Sequence, residues 1–357
     1  MIEAARLLSE ESYLEANKKF DEVLAKDPKY APAQLGKGLA YYSLGNSKLA
    51  IRYFDLAISL DREYEDAYKA KGMVLLSSEN FNESVDCFNK VVELNKTSTE
   101  IFTPLAVALY KSGKYEECIE STNKALKLDP TSANDLAIKG LALLSISKYD
   151  EAVDCFNTLI TANQNPGSAW MLKGVAFISM ERYNESIECF DKAIKINSTN
   201  ADAWTAKGIA LSELHEYNEG LVCINKAIEL DPTNVNVWIN KGIVLLKGGR
   251  YDESIESFNK AIQIDPNSKD ARELKDLALT AKKNPKDLQI MGSKCVKWCK
   301  IIGTGGCFTV CMAACIYIKK TAWKKCIALC SSICIGAPDD ICEWICGCLE
   351  TKKSEGV

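Results

Sequence analysis

The chain has 357 residues, 47% hydrophobic and 26% charged, a composition that excludes a disordered polymer. The net charge of −4 leaves no basic footprint for nucleic acid, and the single histidine, His215, removes most triad, haem and His-ligated metal chemistry. Charge and cysteine are both uneven. Residues 290–357 carry nine Lys and five Asp/Glu, which is +4, so the remainder carries −8. Eleven of the 16 cysteines lie between Cys295 and Cys348.

The N-terminal MIEAARLLSEES has no basic region followed by an apolar run, so no secretory signal peptide is read there and a cytoplasmic location is expected. The repeat pattern described next is met at its fifth position, which leaves the natural start of the chain open.

Gly38, Gly72, Gly140, Gly174, Gly208 and Gly242 are separated by 34 residues or multiples of it, with Ala106 filling the one gap. Seven repeats then start at Ala31, Glu65, Thr99, Ala133, Gly167, Ala201 and Val235, after an incomplete one carrying Ala4, Tyr13, Ala16, Phe20 and Pro28. Apolar residues at positions 4, 8, 11 and at 20, 24, 27, 28 have helical spacing, so each repeat reads as two amphipathic helices. Small residues at positions 8 and 20 let the two backbones approach. Position 4 holds large side chains such as Tyr68, Trp170, Trp204 and Trp238, which fill the groove against a neighbour. Gly45, Gly113 and Gly249 at position 15 sit where the first helix must stop. Asp-Pro at 27–28, 129–130, 231–232 and 265–266 ends the second helix. Cys87, Cys155, Cys189 and Cys223 all fall at position 23 and read as a packing choice.

These residues resemble the tetratricopeptide repeat, with the wording A-W-x-x-K-G at 203–208. The resemblance covers residues 1–268. It implies an all-α, right-handed α-solenoid whose first helices line a concave face that holds peptides or partner proteins. It further implies groove-facing positions at 2, 5, 9, 12 and 13. Here position 9 reads Leu39, Met73, Val107, Leu141, Val175, Ile209 and Ile243; position 12 includes Tyr42, Leu76, Tyr110, Leu144 and Ile178. Members that clamp acidic chaperone tails place Asn at position 9 and Lys at position 5. This chain has no such Asn and only Lys69, so an apolar or amphipathic partner peptide is expected instead. The alternative is that these side chains pack on the second helix of their own repeat. Lys37, Lys71, Lys139, Lys173, Lys207 and Lys241 recur at position 7; their stems are expected on apolar neighbours, with amines on water or a nearby carboxylate.

Residues 269–283 fit one more amphipathic helix, a cap within a 269–289 capping and linker stretch. A Cys-rich helical region follows at 290–349, then a polar tail at 350–357. The spacing C-x3-C-x7-C-x3-C-x3-C-x10-C-x3-C-x3-C-x7-C-x3-C-x-C contains no C-x2-C pair, so no metal is expected. Two readings stay open and are compatible. Residues 301–318 are uncharged over 18 residues with mean hydropathy about 1.9, enough for membrane association. A disulfide-stapled set of short helices is the other. In an antiparallel register the pairs Cys307–Cys334, Cys311–Cys330, Cys315–Cys326, Cys295–Cys346 and Cys299–Cys342 share a constant sum of residue numbers. A sequential meander instead pairs Cys295–Cys311, Cys299–Cys307, Cys315–Cys326, Cys330–Cys346 and Cys334–Cys342. Both contain Cys315–Cys326 and leave Cys348 unpaired.

No phosphate loop, metal-ligand set or catalytic pair is present, and no cofactor or small-molecule substrate is implied. The sequence reads as a non-enzymatic protein-interaction scaffold. The competing readings are a redox or metal-handling protein acting through residues 295–348, and a membrane-tethered adaptor using 301–318.

Overall fold

The computed structural model describes residues 1–95, 99–162 and 166–283. The expected Cys-rich region at 290–349 lies outside the described residues, with all ten candidate disulfide cysteines, the 301–318 segment and the polar tail.

The described residues form seventeen α-helices and one short 3-10 helix, with no strand among them. They divide into two compact units, Met1–Ala176 and the part from Phe177 onward. In each unit the helices follow the expected helix-turn-helix repeat. In the first, Ala31–Ser43 pairs with Ser47–Leu60 and Glu65–Ser77 with Phe81–Leu94. In the second, Ala201–Glu213 pairs with Tyr217–Leu230 and Val235–Lys247 with Tyr251–Ile264. The core runs along the position 24 side chains: Phe20, Phe54, Phe88 and Phe156 in the first unit, and Phe190, Ile224 and Phe258 in the second, are all fully buried. Helix Lys269–Lys283 packs Leu274, Leu277, Ala278 and Ala281 against Phe258 and Leu246, and its Lys282 pairs with Asp252. No described helix is long and apolar enough to cross a membrane.

One backbone device ends every first helix. The position 15 residue is left-handed at Glu11, Gly45, Glu79, Gly113, Ser147, Glu181, His215 and Gly249, with φ between 58° and 79°. The next N–H bonds back across the turn, as Asn46 N–H does to the Tyr41 carbonyl and Arg250 N–H to the Leu245 carbonyl, both at 2.9 Å. This is the Schellman closure. Glycine takes this conformation without strain, but only three of these eight residues are glycine. His215 is thus an exposed turn residue, its Nδ1 2.7 Å from the Tyr217 hydroxyl.

Between repeats, the position 31 acid makes the turn. The Asp27, Asp61, Asp129, Asp231 and Asp265 carboxylates accept from the N–H two residues on, at 2.9–3.2 Å. Asp61 does so with Arg62 after it. The side-chain bond therefore closes the turn even where proline is missing.

The third repeat departs from the pattern. Pro104 has no N–H to give the α-helical ladder, and the helix Phe102–Lys111 is preceded by a 3-10 turn at Thr99–Ile101.

Cys87, Cys118, Cys155, Cys189 and Cys223 are buried free thiols. Burial pushes Cys87 up to about 11 and Cys118 up to about 12. Alkylation needs the thiolate. At pH 8, iodoacetamide therefore leaves these five cysteines unlabelled in the folded protein and labels them after denaturation, as read by peptide mass mapping. For the turn, Ser147→Gly relieves a left-handed non-glycine and stabilises by about 1 kcal/mol, whereas Gly113→Ala destabilises by a similar amount. Opposite shifts of the thermal midpoint check the pair.

Candidate partner-binding face

First helices touch at Ala31–Ser43 with Glu65–Ser77, at Phe102–Lys111 with Ala133–Ser145 and at Ala201–Glu213 with Val235–Lys247, so like-numbered positions on these pairs are neighbours. The position 9 row of the first unit holds Leu39, Met73, Val107, Leu141 and Val175. Leu39 is 38% exposed, Met73 45% and Val175 40%, while Val107 and Leu141 are half-buried. In the position 12 row Tyr42 is 40% exposed, and Leu76, Tyr110 and Leu144 are half-buried. The Tyr42 hydroxyl lies 3.4 Å from Ser77 Oγ on the next first helix. Some members of this row also lean inward. Tyr110 meets the Tyr115 ring of its own repeat's second helix at 5.7 Å, and Leu76 packs against the cluster containing Phe88. Position 9 is therefore the freer row, and position 12 is shared with the core.

Position 13 in the same unit holds Ser43, Ser77, Lys111 and Ser145. At position 5, Lys69 pairs with Glu100 on the following repeat. The face is thus apolar, with few charges at its edges.

The second unit is different. Ile209 and Ile243 at position 9 are half-buried, as is Ile178 at position 12, but Ser212 and Leu246 are buried. At position 13, Glu213 and Lys247 form an ion pair between adjacent first helices. This face carries paired charge between its first helices.

Three of the position 7 lysines pair with a carboxylate of the preceding repeat. Lys37 reaches Asp21 at 2.5 Å, Lys71 reaches Asp55 at 2.6 Å and Lys207 reaches Asp191 at 2.5 Å. Each partner is the position 25 residue of the preceding repeat. Where position 25 is Asn123, Asn157 or Asn225, the facing lysines are Lys139, Lys173 and Lys241. Lys173 lies 5.1 Å from the Trp170 ring centre and Lys241 5.4 Å from that of Trp238. Burial lowers the pKa of Lys241. At Lys37 burial disfavours the charge, but the bonds to Asp21 and Tyr53 outweigh it and the pKa is raised. The sequence did not single out position 25; the alternation of Asp and Asn there, 16 residues before each lysine, was the available signal. Indole N–H groups find backbone partners too. Trp204 and Trp238 donate to the carbonyls of Ser198 and Pro232, both at 3.0 Å.

Among the described residues no group of three or more His, Cys, Asp or Glu is arranged to hold a metal ion.

Tetratricopeptide repeat profiles match residues 3–67, 167–200, 189–221 and 235–268. The chain belongs to the tetratricopeptide repeat family. The profile of anaphase-promoting complex, cyclosome, subunit 3 matches residues 77–159 of this tetratricopeptide repeat protein. No curated protein matches it. Among solved structures it is similar to a tetratricopeptide repeat protein from Parabacteroides merdae ATCC 43184. The TM-score is 0.59 and the identity 15%, over 70% of this chain and 98% of the other. It is also similar to the APC/C hetero-tetramer Cut9-Hcn1, at a TM-score of 0.50 and 16% identity, over 78% of this chain and 55% of that one. At such identities the likeness establishes the fold alone.

The lysine row gives a stability prediction. Lys37 is only 6% exposed, so Asp21→Ala strands a buried ammonium and costs about 1–3 kcal/mol. Asp55→Ala faces the more exposed Lys71 and costs less than about 1 kcal/mol. Parallel thermal melts rank the two.

Proposed function

We propose that this tetratricopeptide repeat protein is a protein-interaction scaffold. It holds an apolar or amphipathic segment of a partner protein against the first helices of the first unit, and acts by binding rather than by catalysis. The observation that carries this reading is the exposed apolar row at Leu39, Met73 and Val175, beside Tyr42, with no charge at positions 9 or 12. Exposed apolar side chains that share one face favour association, because covering them removes apolar surface from water. Five of the six position 7 lysines argue against an anionic ligand, since Lys37, Lys71 and Lys207 meet carboxylates and Lys173 and Lys241 lie over rings. The similar Cut9-Hcn1 protein occurs in a hetero-tetramer, which accords with a family that works through partners.

The test is fluorescence polarisation with a panel of amphipathic helical peptides and acidic tail peptides. Binding is expected from the amphipathic set. Leu39→Asp combined with Met73→Asp weakens it at least about tenfold, roughly 1.4 kcal/mol, while the circular dichroism stays helical. Neutralising Lys71 and Lys207 to Gln changes it less than about twofold. If binding follows the lysines and ignores the Leu39 and Met73 changes, this assignment of the face is wrong.

A further inference from the structure

We infer that Lys241 is a modification site, an amine that takes an acyl group from a thioester without a catalyst. This goes beyond the proposed function, since it concerns a lysine of the second unit and not the apolar face of the first.

The position 7 lysines are not alike. Lys37, Lys71 and Lys207 are each bonded to the position 25 carboxylate of the preceding repeat, at 2.5–2.6 Å. A charge-assisted bond of this kind holds the nitrogen as an ammonium, which has no lone pair to offer an electrophile. At Lys241 the carboxylate is missing. Asn225 stands at position 25 on Tyr217–Leu230, the helix packed against Val235–Lys247. Among the described residues Lys241 makes no ion pair. Its amine lies 5.4 Å from the centre of the Trp238 ring, which sits one turn earlier on the same helix. Glu253 and Arg250 act on it with opposite sign from the start of Tyr251–Ile264, and those two are bonded to each other. The ring favours the ammonium, but less strongly than a hydrogen-bonded carboxylate does.

The side chain of Lys241 is also half-buried, and that burial lowers its pKa. Burial acts in the same sense at Lys37 and Lys71. There the bonds to Asp21 and Tyr53, and to Asp55, outweigh it and the pKa is raised. Lys241 therefore keeps a larger share of neutral amine than these lysines do, and a desolvated neutral lysine is a nucleophile. Its Nζ attacks the thioester carbonyl carbon. A C–N bond forms, the C–S bond breaks, the sulfur leaves as thiolate and the proton shed by nitrogen passes to water. The product is an uncharged amide beside Trp238, and the Lys207–Asp191 bond of the preceding repeat is untouched.

The experiment incubates the folded full chain with acetyl-coenzyme A alone, between about pH 7 and pH 11. Isotope-ratio peptide mass spectrometry reads the initial acetylation rate of each lysine. Lys241 is expected to react at least about fivefold faster than Lys207, its counterpart in the same unit. Its rate is expected to reach half its plateau below pH 10.5. Asn225→Asp supplies the missing carboxylate and is expected to slow Lys241 at least about threefold, while Asp191→Asn removes one and is expected to speed Lys207. Asn225 and Asp191 are exposed, so both near-isosteric changes leave the helices intact, which circular dichroism checks. A Lys241 rate no higher than that of Lys207 overturns the assignment. So does a rate that Asn225→Asp leaves unchanged, since the amine is then labelled for its exposure and not for its missing partner.

Discussion

Everything else in the repeat depends on how closely its two helices approach at positions 8 and 24. A Cβ placed on Gly38, Gly72, Gly140 or Gly242 meets the ring of Phe54, Phe88, Phe156 or Phe258 at 2.3–2.5 Å, nearer than real Cβ contacts come. The ring therefore lies directly on the glycine backbone. Ser84 and Ser254 at position 20 strengthen the same contact by donating to the Gly72 and Gly242 carbonyls at 2.8 and 2.7 Å. In one repeat Gly208 faces Gly220, and a Cβ on Gly220 meets the Gly208 carbonyl oxygen at 2.8 Å. The third repeat shows the constraint from its opposite side. Ala106 replaces the glycine, and Thr122 replaces the ring. Its buried hydroxyl is satisfied by the Cys118 and Ile119 carbonyls at 3.0 Å. A methyl added on one helix goes with a smaller side chain on the other, as close packing requires.

This contact fixes which side of the first helix is left free. Positions 4, 8 and 11 are committed to the second helices or the neighbouring repeat, which turns positions 9 and 12 outward. Position 7 lies at the margin. A lysine there buries its stem and uses the preceding repeat's Asp21, Asp55 or Asp191, tying successive repeats into register. Charge along the first helices is thus spent mainly on holding repeats together. In the first unit Leu39, Met73 and Val175 of the apolar rows stay exposed, and in the second unit the rows are partly replaced by buried Leu246 and the Glu213–Lys247 pair.

Much of this was legible beforehand because a repeat reads the same physical constraint many times. One glycine in a helix is ambiguous; six at 34-residue intervals, each with a ring or isoleucine 16 residues on, specify a close helix pair. The helix ends were legible at Gly45, Gly113 and Gly249 but not at Glu79, Glu181 or Ser147. There the left-handed turn is imposed by the hairpin it closes, and local preference gives way. The position 31 turn was attributed to proline, whereas Asp61 with Arg62 shows that the carboxylate does the closing. The Lys–Asp ladder was hidden because it joins side chains of different repeats, a contact that helical periodicity within one repeat does not encode. Partial burial of Tyr110 and Leu76 was hidden likewise, since position 12 faces outward by angle but leans inward by side-chain length.

The contrast between rows 7 and 9 is the strongest physical reason to place the partner on the apolar rows. Both rows repeat along the first helices, and either would suit a ligand if it stood alone. A row that already satisfies its polar groups gains little from a new ligand, because binding must first break bonds of similar strength. Exposed leucine and methionine side chains such as Leu39 and Met73 bring no polar group that covering must desolvate. Covering them gains about 25 cal/mol for each Å² taken out of water. The same fold therefore presents one row that is energetically closed and one that is open.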